Sequence, residues 1–317
     1  MSESASNCLD FLPVLCVGQL VADVVVRPVT CFPEAGRAEM VEDIQLLSGG
    51  CAANTAAVLA KLGVPTRIVS VIGRDALGDA ALADLAAAGV DVEAVRRDPD
   101  APTSVAIVLV DGDGQRSFLY RGGGNERLTN SHVHDDLFRA AGIVHVGGAM
   151  KLLELDIPAL MKKAKSHGAL TSLDTDWDTY GRWMKPLQAA LPSIDFFMTN
   201  AEEVVLLTGI SDPLAAGRDL LARGPRVVLI KRGERGAMLL SGAGEKDFPA
   251  YKVAVRDTTC AGDSFAAGFL RGISAGLPLE ESVRLGNAAG ALCTTQISHR
   301  GITSFDDVAR LLEKDPS

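Results

Sequence analysis

The sequence predicts an α/β protein, with a mostly parallel central sheet covered by helices on both faces and a small accessory β-sheet beside it. Three observations carry this. Short apolar strands alternate with helices that stop at glycine, and two β-rich stretches break that rhythm. The 317 residues, 47% hydrophobic and 22% charged, suffice to bury one large core.

In chain order, Val14–Gly18 is a short apolar run read as a buried strand, and Asp23 follows it. An alternating segment runs from Val24 to about Leu47. Gly49-Gly50 then opens an alanine-rich helix that ends at Leu62-Gly63, with glycine at the C-terminal position. A strand is expected over Arg67–Ile72 and a helix over Leu77–Ala88, closed by Gly89. Ser104–Val110 and Arg116–Tyr120, joined through Asp111-Gly112-Asp113-Gly114, read as a hairpin. This hairpin and the 24–47 segment are expected to form the accessory sheet of a single domain over 1–317.

Alternation resumes with a strand at Ile143–Val146, a helix near Ile157–Ser166 and a strand at Leu170–Leu173. Further helices are expected around Trp183–Leu191, Ala201–Leu207 and Pro213–Ala222, and strands at Asp195–Thr199 and Val227–Lys231. A second β-rich patch covers Ala237–Leu240 and Phe248–Val253. Helices at Leu279–Thr294 and Asp306–Glu313 follow the motif discussed next.

That motif is Asp257-Thr258-Thr259-Cys260-Ala261-Gly262-Asp263-Ser264. A small-residue turn running straight into a helix leaves backbone N–H groups pointing outward, and the helix dipole adds about half a positive charge there. Asp263 stands at this mouth. An Asp-Ser pair there also serves as an ordinary helix cap, but an anion cradle and a base on one turn are what phosphoryl transfer to an alcohol requires.

Composition narrows the partners. A net charge of −9 excludes nucleic acid as the main partner, because a phosphate backbone needs a basic face. Cys8, Cys16, Cys31, Cys51, Cys260 and Cys293 form no CxxC pair, as free thiols of a reducing cytoplasm would. Residues 1–10 lack a basic signal-peptide start, and Phe11–Val26 is broken by Pro13, Gly18 and Asp23, so neither export nor membrane insertion is expected. His132 and His134 read as solvated side chains and Trp177 and Trp183 as packing aromatics. The acidic run Asp174–Asp178 reads as a substrate-side loop. No Walker or dinucleotide glycine motif is present.

The Asp257–Asp263 run closely resembles the C-terminal signature of the ribokinase-like (PfkB) family of carbohydrate kinases, written DTTGAGD. Gly49-Gly50 with Asn54 resembles the family's GGxxxN, Asn200 with Glu203 its NxxE, and Lys231–Gly236 its KxGxxG-like segment. The four motifs occur in family order across nearly the whole chain. The resemblance implies a ribokinase-like three-layer α/β/α sandwich. Segments of about 24–47 and 103–121 would then form a lid over the substrate, and through it a homodimer.

It also implies roles. Asp263 would be the general base, with Ala261, Gly262 and Asp263 as anion hole and Cys260 where the family often has Gly or Ala. Asp23, Gly49, Gly50 and Asn54 would hold a sugar. Asn200, Lys231, Gly233, Gly236 and Asn287 would contact ATP. Glu203 would hold Mg²⁺ through water, and Asp257 with the loop near Gly301 would hold K⁺. Val21 and Cys51 depart from the polar residues common at their positions. Two alternatives remain at this level. A nucleoside kinase calls for an aromatic lid, whereas this one carries Asp111, Asp113, Gln115 and Arg116 in a chain only 5% aromatic. A silent sugar-binding regulator has no need of Asp263 and Glu203.

Overall fold

The computed structural model describes residues 11–112 and 115–314. Residues 1–10, with Cys8, and the Asp113-Gly114 pair of the expected hairpin turn lie outside the described residues. The chain begins with β1 (Val14–Gly18), β2 (Val21–Arg27), β3 (Asp43–Gly49) and α1 (Cys51–Lys61). Next come β4 (Thr66–Val69), β5 (Val71–Gly73), α2 (Ala76–Ala87), β6 (Arg96–Asp98), β7 (Val105–Val110) and β8 (Arg116–Arg121). Then follow α3 (Asp135–Ala140), β9 (Ile143–Gly147), α4 (Ile157–Ser166), β10 (Leu170–Asp174), β11 (Phe196–Asn200), α5 (Ala201–Thr208) and α6 (Pro213–Ala222). The C-terminal part holds β12 (Val227–Lys231), β13 (Ala237–Ser241), β14 (Gly244–Phe248), α7 (Ala261–Ser274), α8 (Leu279–Cys293) and α9 (Phe305–Leu312).

The main sheet runs β14-β13-β12-β11-β10-β9-β1-β4, parallel except where β13 turns back against both its neighbours. Its strands are apolar on both sides because both sides are covered. Val14 and Cys16 of β1 belong to the core layer shared with α1, α7, α8 and α9, whereas Leu15 and Val17 belong to the opposite layer, shared with α3, α4, α5 and α6. The three layers are thus an α/β/α sandwich.

Strand order reverses between β9 and β1, and a crevice opens outside the strand ends at such a point. Gly18 and Gly147 pair there. A Cβ on Gly147 would lie 2.7 Å from the Ala52 backbone, so the start of α1 seats directly on the gap.

A separate four-stranded sheet, β3-β2-β7-β8, stands beside the main layer and takes its strands from 21–49 and 105–121. Val21, Val25, Leu47, Ala106 and Val108 form its apolar inner cluster. Leu46, Val24, Ile107 and Leu119 lie in register across its other face, three of them exposed.

Three elements differ from expectation. The strand over Arg67–Ile72 is two strands, broken at Ser70, whose hydroxyl donates to the Gly18 carbonyl at 2.7 Å; β5 then leaves to pair with β6. The helix around Trp183–Leu191 is a series of turns. Trp183 is left-handed at φ 40, and Pro186 has no N–H to give a helix. The strand expected over Phe248–Val253 lies earlier, as charged edge strand β14, and ends before Pro249. Among the described residues no helix is long and apolar enough to cross a membrane.

Candidate active site

Cys260 caps α7 with φ 61, a left-handed backbone uncommon for a side chain, and its thiol rests 3.3 Å from the Ser298 hydroxyl. The first bond of the helix runs from Ser264 N–H to the Cys260 carbonyl at 2.8 Å. Ala261 N–H closes a tight turn on the Thr258 carbonyl at 3.3 Å. Among the described residues the amides of Gly262 and Asp263 therefore carry the mouth's anion-binding capacity, and Ala261 contributes less than expected.

Asp263 projects from this first turn into the protein. Asn54 Nδ2, from α1, donates to its carboxylate at 2.8 Å. Burial pushes the Asp263 carboxyl above the usual carboxylate range, opposed by the Asn54 bond, the Lys231 ammonium and the Cys51 thiol. A base with a raised pKa accepts a proton more readily near neutrality. Asn54 Oδ1 has no partner among the described residues although the side chain is only 5% exposed.

Asp23 sits on β2 against β3. A Cβ on Gly49 would lie 2.0 Å from its Oδ2, so only glycine admits this carboxylate. Gly50 has φ 90 and abuts the Gln19 carbonyl. Burial, and then the charge of Asp263, push Asp23 up to about 7. The two carboxylates thus sense each other across the crevice.

Asn200 caps α5, accepting from the N–H groups of Glu202 (3.0 Å) and Glu203 (2.8 Å). Glu203 is buried, and its Oε2 accepts the Thr175 hydroxyl at 2.7 Å. Lys231, last in β12, places its ammonium 2.7 Å from both oxygens of Asp174. Burial alone would lower the Lys231 pKa, but Asp174 and Glu203 outweigh it and hold the ammonium charged. The same ammonium lies 3.1 Å from where a Gly262 Cβ would stand, beside the α7 mouth. Gly233 and Gly236 follow at φ 59 and 80. Asn287 donates from Nδ2 to the Phe248 and Pro249 carbonyls, each at 3.1 Å, which ties α8 to the end of β14.

A cavity of about 990 Å³ joins these parts. Its wall includes Cys260, Ala261, Gly262 and Asp263, then Asn200, Glu203 and Lys231, and further out Gly233, Gly236 and Asn287. Asp23, Gly49, Gly50 and Asn54 stand outside this wall, on the far side of Asp263. Asp257 and Gly301 also stand outside it. Asp257 accepts from Thr259 N–H and hydroxyl and from Ser298 N–H, and Gly301 packs against the Leu292 carbonyl.

The sequence profile of the pfkB family carbohydrate kinases matches residues 13–304. The chain belongs to the pfkB family. It is 31% identical over 304 residues to an ATP-dependent ribose-1-phosphate kinase of Halopiger xanaduensis, covering 95% of this chain and 98% of that one. It is 34% identical over 305 residues to a ribokinase of Arabidopsis thaliana, with 89% and 76% covered. The structure of Arabidopsis thaliana ribokinase complexed with ribose and ATP superposes with a TM-score of 0.83 at 29% identity, covering 96% of this chain and all of that one.

Several groups of this pfkB-family site escape sequence reasoning. Asp174 is the buried partner of Lys231, and Asp176 accepts from Gln19, Lys151 and the Met150 amide. Asp178 accepts from the Tyr180 and Trp183 amides. The acidic run is therefore spent on protein donors, and no group of three metal-ligating side chains occurs among the described residues. Lys231 comes from another strand and Lys151 from the turn after β9, so no local pattern announces either pairing. His132 Nδ1 accepts the Thr129 amide away from the site, and Trp177 packs edge-on against Trp183 at 5.4 Å while also lining the cavity.

Proposed function

We propose that this carbohydrate kinase transfers the γ-phosphoryl group of ATP to a primary hydroxyl of a sugar or sugar acid. The observation that carries the reading is the placement of Asp263. Its carboxylate is half-buried on the cavity wall, has a raised pKa and is held by Asn54, and it lies on the same helical turn as the outward amides of Gly262 and Asp263.

A sugar hydroxyl entering between Asp23, Asn54 and Asp263 meets two acceptors suited to it, the Asp23 carboxylate and the unpartnered Asn54 Oδ1. Asp263 removes the proton as the oxygen attacks the phosphorus. The Gly262 and Asp263 amides, the helix dipole and the Lys231 ammonium offset the charge that grows on the transferred group. ATP fits the remaining cavity, with its phosphates toward Lys231 and its base toward Asn287 and Tyr251. The four-stranded sheet acts as a lid that keeps water out, and its exposed apolar row serves as the surface of a homodimer.

The carboxylate of Glu203, on the cavity wall and with only its Oε2 accepting from Thr175, is a hard oxygen donor that suits Mg²⁺ keeping most of its waters, whereas Asn200 Oδ1 is taken up by the Glu202 and Glu203 amides. Bound there, Mg²⁺ would neutralise phosphate oxygens. K⁺ fits less well at Asp257, whose two oxygens already accept from Thr259 and Ser298, and no step is drawn through it.

The deciding experiment is ATP consumption with Mg²⁺ across sugars, sugar acids and nucleosides, for the wild type and Asp263→Asn. Turnover with one sugar group, cut at least about 10²-fold in the variant, is expected. Equal turnover in the variant would remove Asp263 as base, and sugar binding without turnover would leave a silent regulator.

A further inference from the structure

Arg116 stands at the start of β8, an edge of the four-stranded sheet, yet its side chain leaves that sheet. Nη1 donates to the Thr259 hydroxyl at 2.8 Å and Nη2 to the Thr258 hydroxyl at 2.7 Å. Nε lies 3.8 Å from Asp257 Oδ1. One guanidinium therefore grips the three residues that precede Cys260, and its plane rests on the Phe118 ring at 5.6 Å. The grip is relayed. The Thr259 hydroxyl donates onward to Asp257, whose other oxygen accepts Ser298 N–H at 3.0 Å.

The opposite edge of the sheet reaches the same place. Gln45 Oε1, on β3, accepts from Arg300 at 3.1 Å, and Ile297 packs into the sheet's apolar cluster. The 297–300 segment is in turn fastened to the α7 mouth. The one S–H of Cys293 is shared between the Thr259 carbonyl, 3.3 Å from Sγ, and the Ser298 carbonyl, 3.2 Å from it, and the Cys260 thiol meets the Ser298 hydroxyl. Both edges of the sheet thus hold the two pieces of chain that frame the anion hole.

We propose that Arg116 is a positioning residue that couples the seating of the four-stranded sheet to the geometry of the anion-hole turn. The proposal rests on the reading of Asp263 and its turn as the phosphoryl-transfer site. The directions of the Gly262 and Asp263 amides depend on the backbone just before them, where Cys260 is held left-handed. A shift of about 1 Å at such a centre costs on the order of 10²-fold in rate. With the sheet lifted, Thr258 and Thr259 lose their donors and the turn relaxes. With the sheet seated, the turn is set and water is excluded together, so that ATP is not wasted on water. The fork matters: a planar guanidinium spans two neighbouring hydroxyls, whereas an ammonium satisfies them poorly.

The test compares wild type, Arg116→Ala, Arg116→Lys, the Thr258→Ala/Thr259→Ala pair and the triple combination. Two readouts are needed: steady-state kinetics, and amide hydrogen exchange over residues 258–263. For Arg116→Ala we expect kcat to fall about 10-fold or more with sugar KM changed much less, and a larger share of ATP lost to water. Exchange in the turn should be faster, and Lys should restore part of both. Arg116→Ala should add little in the background already lacking both hydroxyls. Unchanged exchange in the turn, an effect confined to sugar KM, or full additivity in the triple variant would overturn the coupling. Failure of the wild type to phosphorylate any acceptor would instead sink the functional reading, and the exchange comparison would still decide the coupling by itself.

Discussion

The mouth of α7 and the crevice floor beneath it are built in opposite ways. At the mouth, one continuous run from Asp257 to Asp263 supplies the turn, the cap, the free amides and the carboxylate proposed as the base. At the floor, each group stands only because a distant one lets it. Asp23 needs the missing side chain of Gly49, Asn54 needs Asp263, and Lys231 needs Asp174 on another strand. The mouth supplies chemistry that many acceptors can share, while the floor supplies selection and charge balance.

Breaking the charge balance should have the largest effect. Lys231→Met leaves Asp174 buried without its cation, and a loss of about 3–5 kcal/mol in unfolding free energy is expected from denaturant titration. Adding Asp174→Leu should return much of that loss; a double variant as weak as the single would mean the pair is not the cause. A smaller effect should follow at the selective side. In Gly49→Ala the new methyl displaces the Asp23 carboxylate, so sugar KM should rise about 10-fold while kcat stays within a few-fold. Equal loss in both constants would place Gly49 in the chemistry instead.

The gentlest probe is pH. The base must be deprotonated to work, and burial raises Asp263 while Asp23 reaches about 7. The kcat/KM value is therefore expected to fall as pH drops through about 7, where Asp23 takes up a proton, and further as Asp263 is protonated above the usual carboxylate range. A kcat/KM profile flat down to about pH 5 would contradict the raised carboxylates.

Much of this was legible in the sequence, for reasons the two regions share with the rest of the fold. Ile157–Ser166, Pro213–Ala222 and Val227–Lys231 lie where periodicity and capping residues place them. The turn that opens α7 was readable because its signal is contiguous. The acidic run after β10 was visible, but its partners were not: Lys231 is 57 positions from Asp174, and Gln19 is 157 from Asp176. The break at Ser70 and the turns after Trp183 were equally hidden. Both depend on a hydrogen bond or a left-handed residue set by tertiary contact.

The bond from Asn54 to Asp263 spans 209 positions. In synthesis Asp23 and Asn54 are made early, and Asp263 only after the whole main sheet. The Asp263 carboxylate and the amides of the α7 mouth can therefore meet Asn54 only after α7 has been made and packed beside α1. Closing so long a loop is an entropically costly contact and belongs late in folding. The proposed site is thus assembled from segments that are made far apart in time.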